Sequence, residues 1–247
     1  MNCALCLNDR PLVKSHIISE LLYETVFDEK HQYFEYPLRT DVFPKRQNTG
    51  KWEKLLCNNC DNVVLGEYET YGAIVLKAGK GSVGLTAEIY SDSYFVKGVD
   101  YRKFKLFELS QFWRWAVSRE ARESGIQISA EHKEDMRQML LHGDPKEPTK
   151  YGCALCVMTV TEGEEVIRNI MIPICEMQSF NGYRMFQGIF STIVWAWFLP
   201  TNGSPFPFPE LLLNKEGGLP IKKLSISVTE SFKGFYRYAS QFMPTQK

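Results

Sequence analysis

Cys3-Ala4-Leu5-Cys6 near the start, and Leu55-Leu56-Cys57-Asn58-Asn59-Cys60-Asp61 after a long gap, decide how this chain is read. A CxxC turn places two sulfurs on one side of an ion and leaves backbone N–H groups free to hydrogen-bond them, and two such turns complete the tetrahedral shell that zinc prefers. The second pair also opens a run in which Val64, Tyr68 and Tyr71 recur at i, i+4 and i+7, so a helix is predicted to start there. The partial positive charge of a helix N-terminus favours thiolates over thiols. Cys3, Cys6, Cys57 and Cys60 are therefore expected to hold one structural zinc ion. The long insertion between the pairs adds little closure entropy.

Outward from that quartet, the composition sets limits. The 247 residues, 44% of them hydrophobic, suffice for a sizeable core. Lys plus Arg and Asp plus Glu both number 29, so no global basic field advertises a polyanionic partner, and any phosphate contact must be local. The opening MNCALCLNDR lacks a signal-peptide pattern, and the longest apolar run, Ile189 to Leu199, falls short of the roughly 20 residues a spanning helix needs. A cytoplasmic protein is expected. Seven cysteines then point to metal binding or buried free thiols rather than disulfides. A second copy of the motif, Cys153-Ala154-Leu155-Cys156, lies in an apolar strand pattern with no partner pair, and Cys175 stands alone; these three read as buried structural cysteines.

The coarse order of elements makes the class α+β. One knuckle plus one helix start is a treble-clef arrangement, which assigns residues 1–76 to a zinc module and 77–247 to an α+β domain. Lys14, His16 and Ile18 share one face of a short strand, with Ser15 on the other. Residues 19–27 suit a short helix, and about 28–54 reads as a long loop or irregular hairpin. Gly72 and Gly79 bracket the end of the helix that follows Cys60. Asp100 is expected to cap a helix reaching about Arg122, and Ser129 a second over 130–142. Runs at 151–160, 165–174, 183–186 and 189–199, rich in Val, Ile, Thr and aromatics, predict an antiparallel sheet over about 151–228 with a last strand near 223–228, followed by a closing helix near 230–243. No phosphate loop, dinucleotide fingerprint or nucleophile elbow is present.

The order Cys3–Cys6, then Ser15-His16-Ile17-Ile18-Ser19, then Leu55-Leu56-Cys57-Asn58-Asn59-Cys60-Asp61 resembles the zinc-supported branch of the HNH (His-Me finger) endonucleases over roughly the first 75 residues. The chain is also similar to a group of bacterial proteins, without an assigned activity, in which this module precedes a Leu-Phe-x-Leu-Ser-x-x-Trp-Arg helix, here Leu106 to Arg114, and a Met-Leu-Leu-x-Gly-Asp-Pro segment, here Met139 to Pro145.

The HNH resemblance implies that His16 deprotonates an attacking water while a Mg²⁺ or Mn²⁺ ion polarises the phosphate, with Asp61, directly after the last cysteine, as a ligand of that ion. It implies metal-dependent cleavage of nucleic acid and fits an antiphage role. Two positions depart from the family pattern. Ser15 stands where an acidic or histidine ligand precedes the catalytic His, and Trp52 occupies the spacing of the Asn that orients the base, with Asn48 displaced. Glu67 and Glu69 are available as replacement carboxylates. In the loop, Arg39, Lys45, Arg46, Lys51 and Lys54 are candidates for phosphate contacts, with Trp52 and neighbouring aromatics to stack on bases. The rival reading is a finger that has lost its nuclease site and binds nucleic acid or a protein partner, the latter through the C-terminal domain.

Overall fold

A short antiparallel pair carries the first cysteine turn to the second. In the computed structural model, which describes residues 2–24, 26–36, 43–77, 84–159, 170–177, 179, 181–190 and 192–225, strand β1 (Leu12–His16) pairs with β4 (Trp52–Cys57), Leu12 opposite Cys57 and His16 opposite Trp52. The register slips between Val13 and Lys14, so Leu55 bulges out of the pair, and its free carbonyl accepts from Ala4 N–H in the first turn at 3.0 Å. Helix α1 (Glu20–Glu24) follows β1. Beyond Cys57 a wide i→i+5 helical turn, Asn59–Leu65, leads into α2 (Gly66–Leu76), which ends between the two expected glycines. Gly72 itself serves packing. A Cβ there would lie 2.7 Å from the Phe107 ring, so its absence lets α2 cross α3 (Tyr101–Val117) closely.

The second layer is a nine-stranded sheet. Within segment 28–54, expected as a long loop or irregular hairpin, β2 (Tyr33–Glu35) pairs antiparallel with β3 (Lys45–Gln47), and β2 then joins β8 (Ile170–Glu176) in parallel through Phe34 and Ile170. With β5 (Thr86–Ile89), β6 (Ser93–Lys97), β7 (Cys153–Thr159), β9 (Tyr183–Phe190), β10 (Ile193–Pro200) and β11 (Leu219–Ser225), the strand order is β3-β2-β8-β9-β10-β7-β11-β6-β5. Among the described residues only β2–β8 and β11–β7 pair in parallel, so the sheet is mostly antiparallel. The last strand begins a few residues before the expected 223–228, with Leu219 opposite Val96 and Pro220 opposite Phe95 on β6. The helix expected near 230–243 lies outside the described residues.

Between the zinc module and the sheet runs α3. Asp100 Oδ1 caps it, accepting from Lys103 N–H at 3.0 Å. The helix expected to reach Arg122 breaks at Ser118, whose hydroxyl donates to Trp115 O at 2.7 Å and accepts from Ala121 N–H, starting α4 (Arg119–Glu123). Ser129 caps α5 (Ala130–His142), which stops at left-handed Gly143. Every α3 residue from Phe104 to Ala116 is buried, Lys105, Glu108, Gln111 and Arg114 included. One flank meets α2 and α5; the other meets the sheet, where Phe107 packs edge-on against Trp195 and Phe112 stacks on Trp197. Some of these polar groups find partners, while Glu108 Oε1 and Arg114 Nε have none among the described residues. Lys105 Nζ donates to the Tyr151 and Pro148 carbonyls at 2.7 and 3.2 Å, and Trp197 Nε1 donates to Glu108 O at 2.9 Å. Ala154, Tyr183, Phe198, Phe206 and Leu212 form a smaller core.

Candidate metal centre and the adjoining histidine cleft

The ligand atoms of Cys3, Cys6, Cys57 and Cys60 all lie within 4.8 Å of one another, and among the described residues they are the one group of three or more His, Cys, Asp or Glu that converges in this way. Zinc–sulfur bonds of about 2.3 Å in a tetrahedron put sulfurs about 3.8 Å apart. Cys6 Sγ and Cys57 Sγ are separated by 4.0 Å, too far for a disulfide and right for a shared ion. Local backbone geometry prepares the site. Cys3 N–H donates to Asn8 O, Leu7 N–H to Cys3 O with Leu7 at φ 62°, and Arg137 of α5 donates to Leu5 O. Burial raises the Cys3 thiol, but N–H groups of Cys6, Cys57 and Leu5 outweigh it and bring it down to about 7. Cys60 is pushed up by burial and by its sulfur neighbours. Four sulfurs this close become thiolates together when a cation sits among them, so the donor set fits a closed structural zinc site.

The second CxxC does not repeat this. Cys153 and Cys156 are three residues apart on β7, where alternation sends them to opposite faces, and burial raises both thiols, Cys156 to about 11. Cys175 is buried on β8.

The same alternation sorts the end of β1. Ser15 is fully buried, while His16 is half-buried and lines a cleft of about 190 Å³ with Lys14, Glu20, Tyr23, Asn48 and Trp52. Asn48, displaced in sequence from the family spacing, is thus on the wall of the cleft that His16 faces. Lys14 Nζ sits 3.8 Å from the centre of the Trp52 ring, whose residue is 45% exposed. Gly50 and Tyr23 belong to the wall of this cleft as well. A Cβ at Gly50 would lie 2.8 Å from the Tyr23 ring and 3.3 Å from His16 Cδ2, so the missing side chain seats the imidazole. A single glycine between a polar loop and a strand carried no periodic signal to reveal this.

Asp61 turns the other way, onto Ser15. Burial raises its carboxyl; the Arg114 guanidinium pulls it back, Glu69 pushes it up, and the donated Ser15 hydroxyl and the His16 charge lower it. Ser15 Oγ also accepts from Leu56 N–H at 3.3 Å. Asp61 and His16 therefore share one electrostatic environment. Glu69 is bound by Arg114, a residue 2% exposed whose Nη2 also reaches Gln111 Oε1 at 3.3 Å, and Gln111 Oε1 in turn accepts from Ser19 N–H at 2.8 Å. Glu67 faces Arg102 and Lys103 at the surface. Magnesium asks for near-octahedral oxygens at about 2.0–2.1 Å. The oxygens here do not make that cage: Asp61 is hydrogen-bonded by a hydroxyl, Glu69 is ion-paired, and no third carboxylate or imidazole converges with them among the described residues.

Of the basic loop residues, Lys45 and Arg46 are exposed on β3, with Arg46 over the Phe34 ring, and Lys54 is exposed on β4. Lys51 is held by Glu35 at 2.6 Å and by Glu120, and lines a second cleft of about 310 Å³ with Trp52, Glu53 and Arg119. Arg39 lies outside the described residues. No helix among those described is long and apolar enough to cross a membrane. Comparison with protein-family models, with curated proteins and with solved structures returned no match, so the fold and these two adjoining sites carry the functional argument alone.

Proposed function

We propose that the zinc-stapled module is an HNH-type site that hydrolyses phosphodiester bonds in nucleic acid, with the zinc ion structural and His16 the general base. One observation carries the reading: β1 and the turn after Cys60, both pinned by the cysteine quartet, bring His16 to an open cleft and Asp61 into its electrostatic reach. Unprotonated His16 takes a proton from water as the water oxygen bonds to phosphorus. The P–O bond to the leaving sugar oxygen breaks, and that oxygen takes a proton from solvent, giving a phosphomonoester and a hydroxyl. Lys14 and Trp52 supply a charge and a stacking face at the mouth of the cleft.

A second reading, binding without cleavage, is favoured by Ser15, which offers Asp61 a hydroxyl where the family pattern has an ion ligand. Plasmid, single-stranded DNA and RNA incubated with the protein, with and without Mg²⁺ or Mn²⁺ and beside His16→Ala, separate the two. Cleavage lost in His16→Ala supports the hydrolase. Binding of any of these substrates by both proteins with no cleavage by either assigns the module to the second reading, and equal cleavage by both removes His16 from the chemistry.

A further inference from the structure

The ion implied by the HNH resemblance and the side chains in place disagree, and Arg114 is where they disagree. It comes from α3, outside the zinc module, on a helix whose residues 104–116 are all buried, and its guanidinium is ion-paired with Glu69 and acts through space on Asp61, the carboxyl that faces Ser15. We propose that Arg114 is the resident counter-cation of this site, standing where a divalent ion would otherwise balance the carboxylates, so that the site works without one. The proposal rests on His16 and Asp61 being the working pair.

Three observations converge on it. The Arg114 side chain is 2% exposed and its Nε, also buried, has no hydrogen-bond partner, so a fixed positive charge with an unspent donor is kept inside the cluster. Its position is not left to chance, since Gln111 links it to Ser19 N–H just beyond β1 while Glu69 links it to α2. Finally, Ser15 presents a hydroxyl that donates to Asp61, which satisfies a carboxylate without adding the negative charge a divalent cation needs. A guanidinium keeps its proton throughout the accessible pH range, so its charge is independent of metal supply. A second, divalent charge a few ångströms away meets direct repulsion.

Manganese alone is the probe, followed by the loss of the free Mn²⁺ electron paramagnetic resonance signal on adding zinc-loaded, full-length protein. Wild type is expected to take up no Mn²⁺ at this site. Arg114→Ala, which frees Glu69 and removes the positive charge that Asp61 feels, is expected to gain about one equivalent, lost again when Asp61→Asn is added, while Arg114→Lys, which restores the charge, stays Mn²⁺-free. One equivalent bound by wild type and abolished by Asp61→Asn overturns the proposal, as does a folded Arg114→Ala that binds none. Should Arg114→Ala fail to fold, the wild-type titration decides by itself. No substrate enters this measurement, so failure to cleave nucleic acid and failure of the counter-cation are read separately.

Discussion

The same four letters, Cys-Ala-Leu-Cys, occur twice in this chain and fold two ways. At residues 3–6 they form a turn whose sulfurs converge with Cys57 and Cys60. At residues 153–156 they are extended, with Cys153 opposite Trp197 on β10 and Cys156 opposite both Val194 on β10 and Lys222 on β11. The first copy has a turn after it, with Leu7 in the left-handed region, and draws its backbone partners from Asn8 and the bulged Leu55. The second is enclosed on both sides by strands that claim its N–H and C=O groups, so no turn can form. A CxxC is thus a ligand pair only where the sheet leaves its backbone free for the sulfurs.

The largest expected effect breaks the comparison outright. Cys57→Ser should reduce bound zinc from about one equivalent to near zero and unfold the module, since structural zinc contributes on the order of 10 kcal/mol to such folds. Cys153→Ser should leave zinc untouched, and elemental analysis of both purified variants checks this. The next effect concerns the buried polar pair beside Cys153. Burial pushes Glu108 from 4.5 up to about 8, with Lys105 lowering it partway back. Between those values the unfolded chain has released a proton that the folded chain keeps, so stability falls as pH rises, by up to about 1.4 kcal/mol per unit, and levels off above about 8. Glu108→Gln should flatten that slope in urea midpoints measured between pH 6 and 8. Cys153→Ser should then lower stability by about 1–3 kcal/mol by urea denaturation, because a hydroxyl costs more to desolvate than the thiol it replaces at that fully buried position. The half-buried Cys156→Ser should shift it by no more than about 0.5 kcal/mol.

The zinc quartet, the caps at Asp100 and Ser129, and the strand character of 153–159, 170–176, 183–190 and 193–200 were legible because spacing and local chemistry encode them. Less legible was the break at Ser118, where apolar periodicity runs on through a serine that both ends one helix and starts the next. Least legible was the inward face of α3. Lys105, Glu108, Gln111 and Arg114 recur at helical spacing on α3, and all four are buried because the helix is covered on two flanks by elements distant in sequence. Arg114 was therefore invisible as a member of the site: a charge beside Asp61 supplied from another part of the chain has no signature in either segment.

The pairing of Phe34 with Ile170 bears on the order in which this protein can be made. The cysteine quartet is complete once residue 60 has left the ribosome, so zinc can close the turn early. The β2–β3 hairpin enclosed by the same module finds its place on the sheet only after more than half the chain has followed. At about 5–20 residues per second that interval is of order ten seconds. For that time a metal-locked loop presents an unpaired strand edge to the cell, and any holding chaperone would be expected to dwell on residues 33–35.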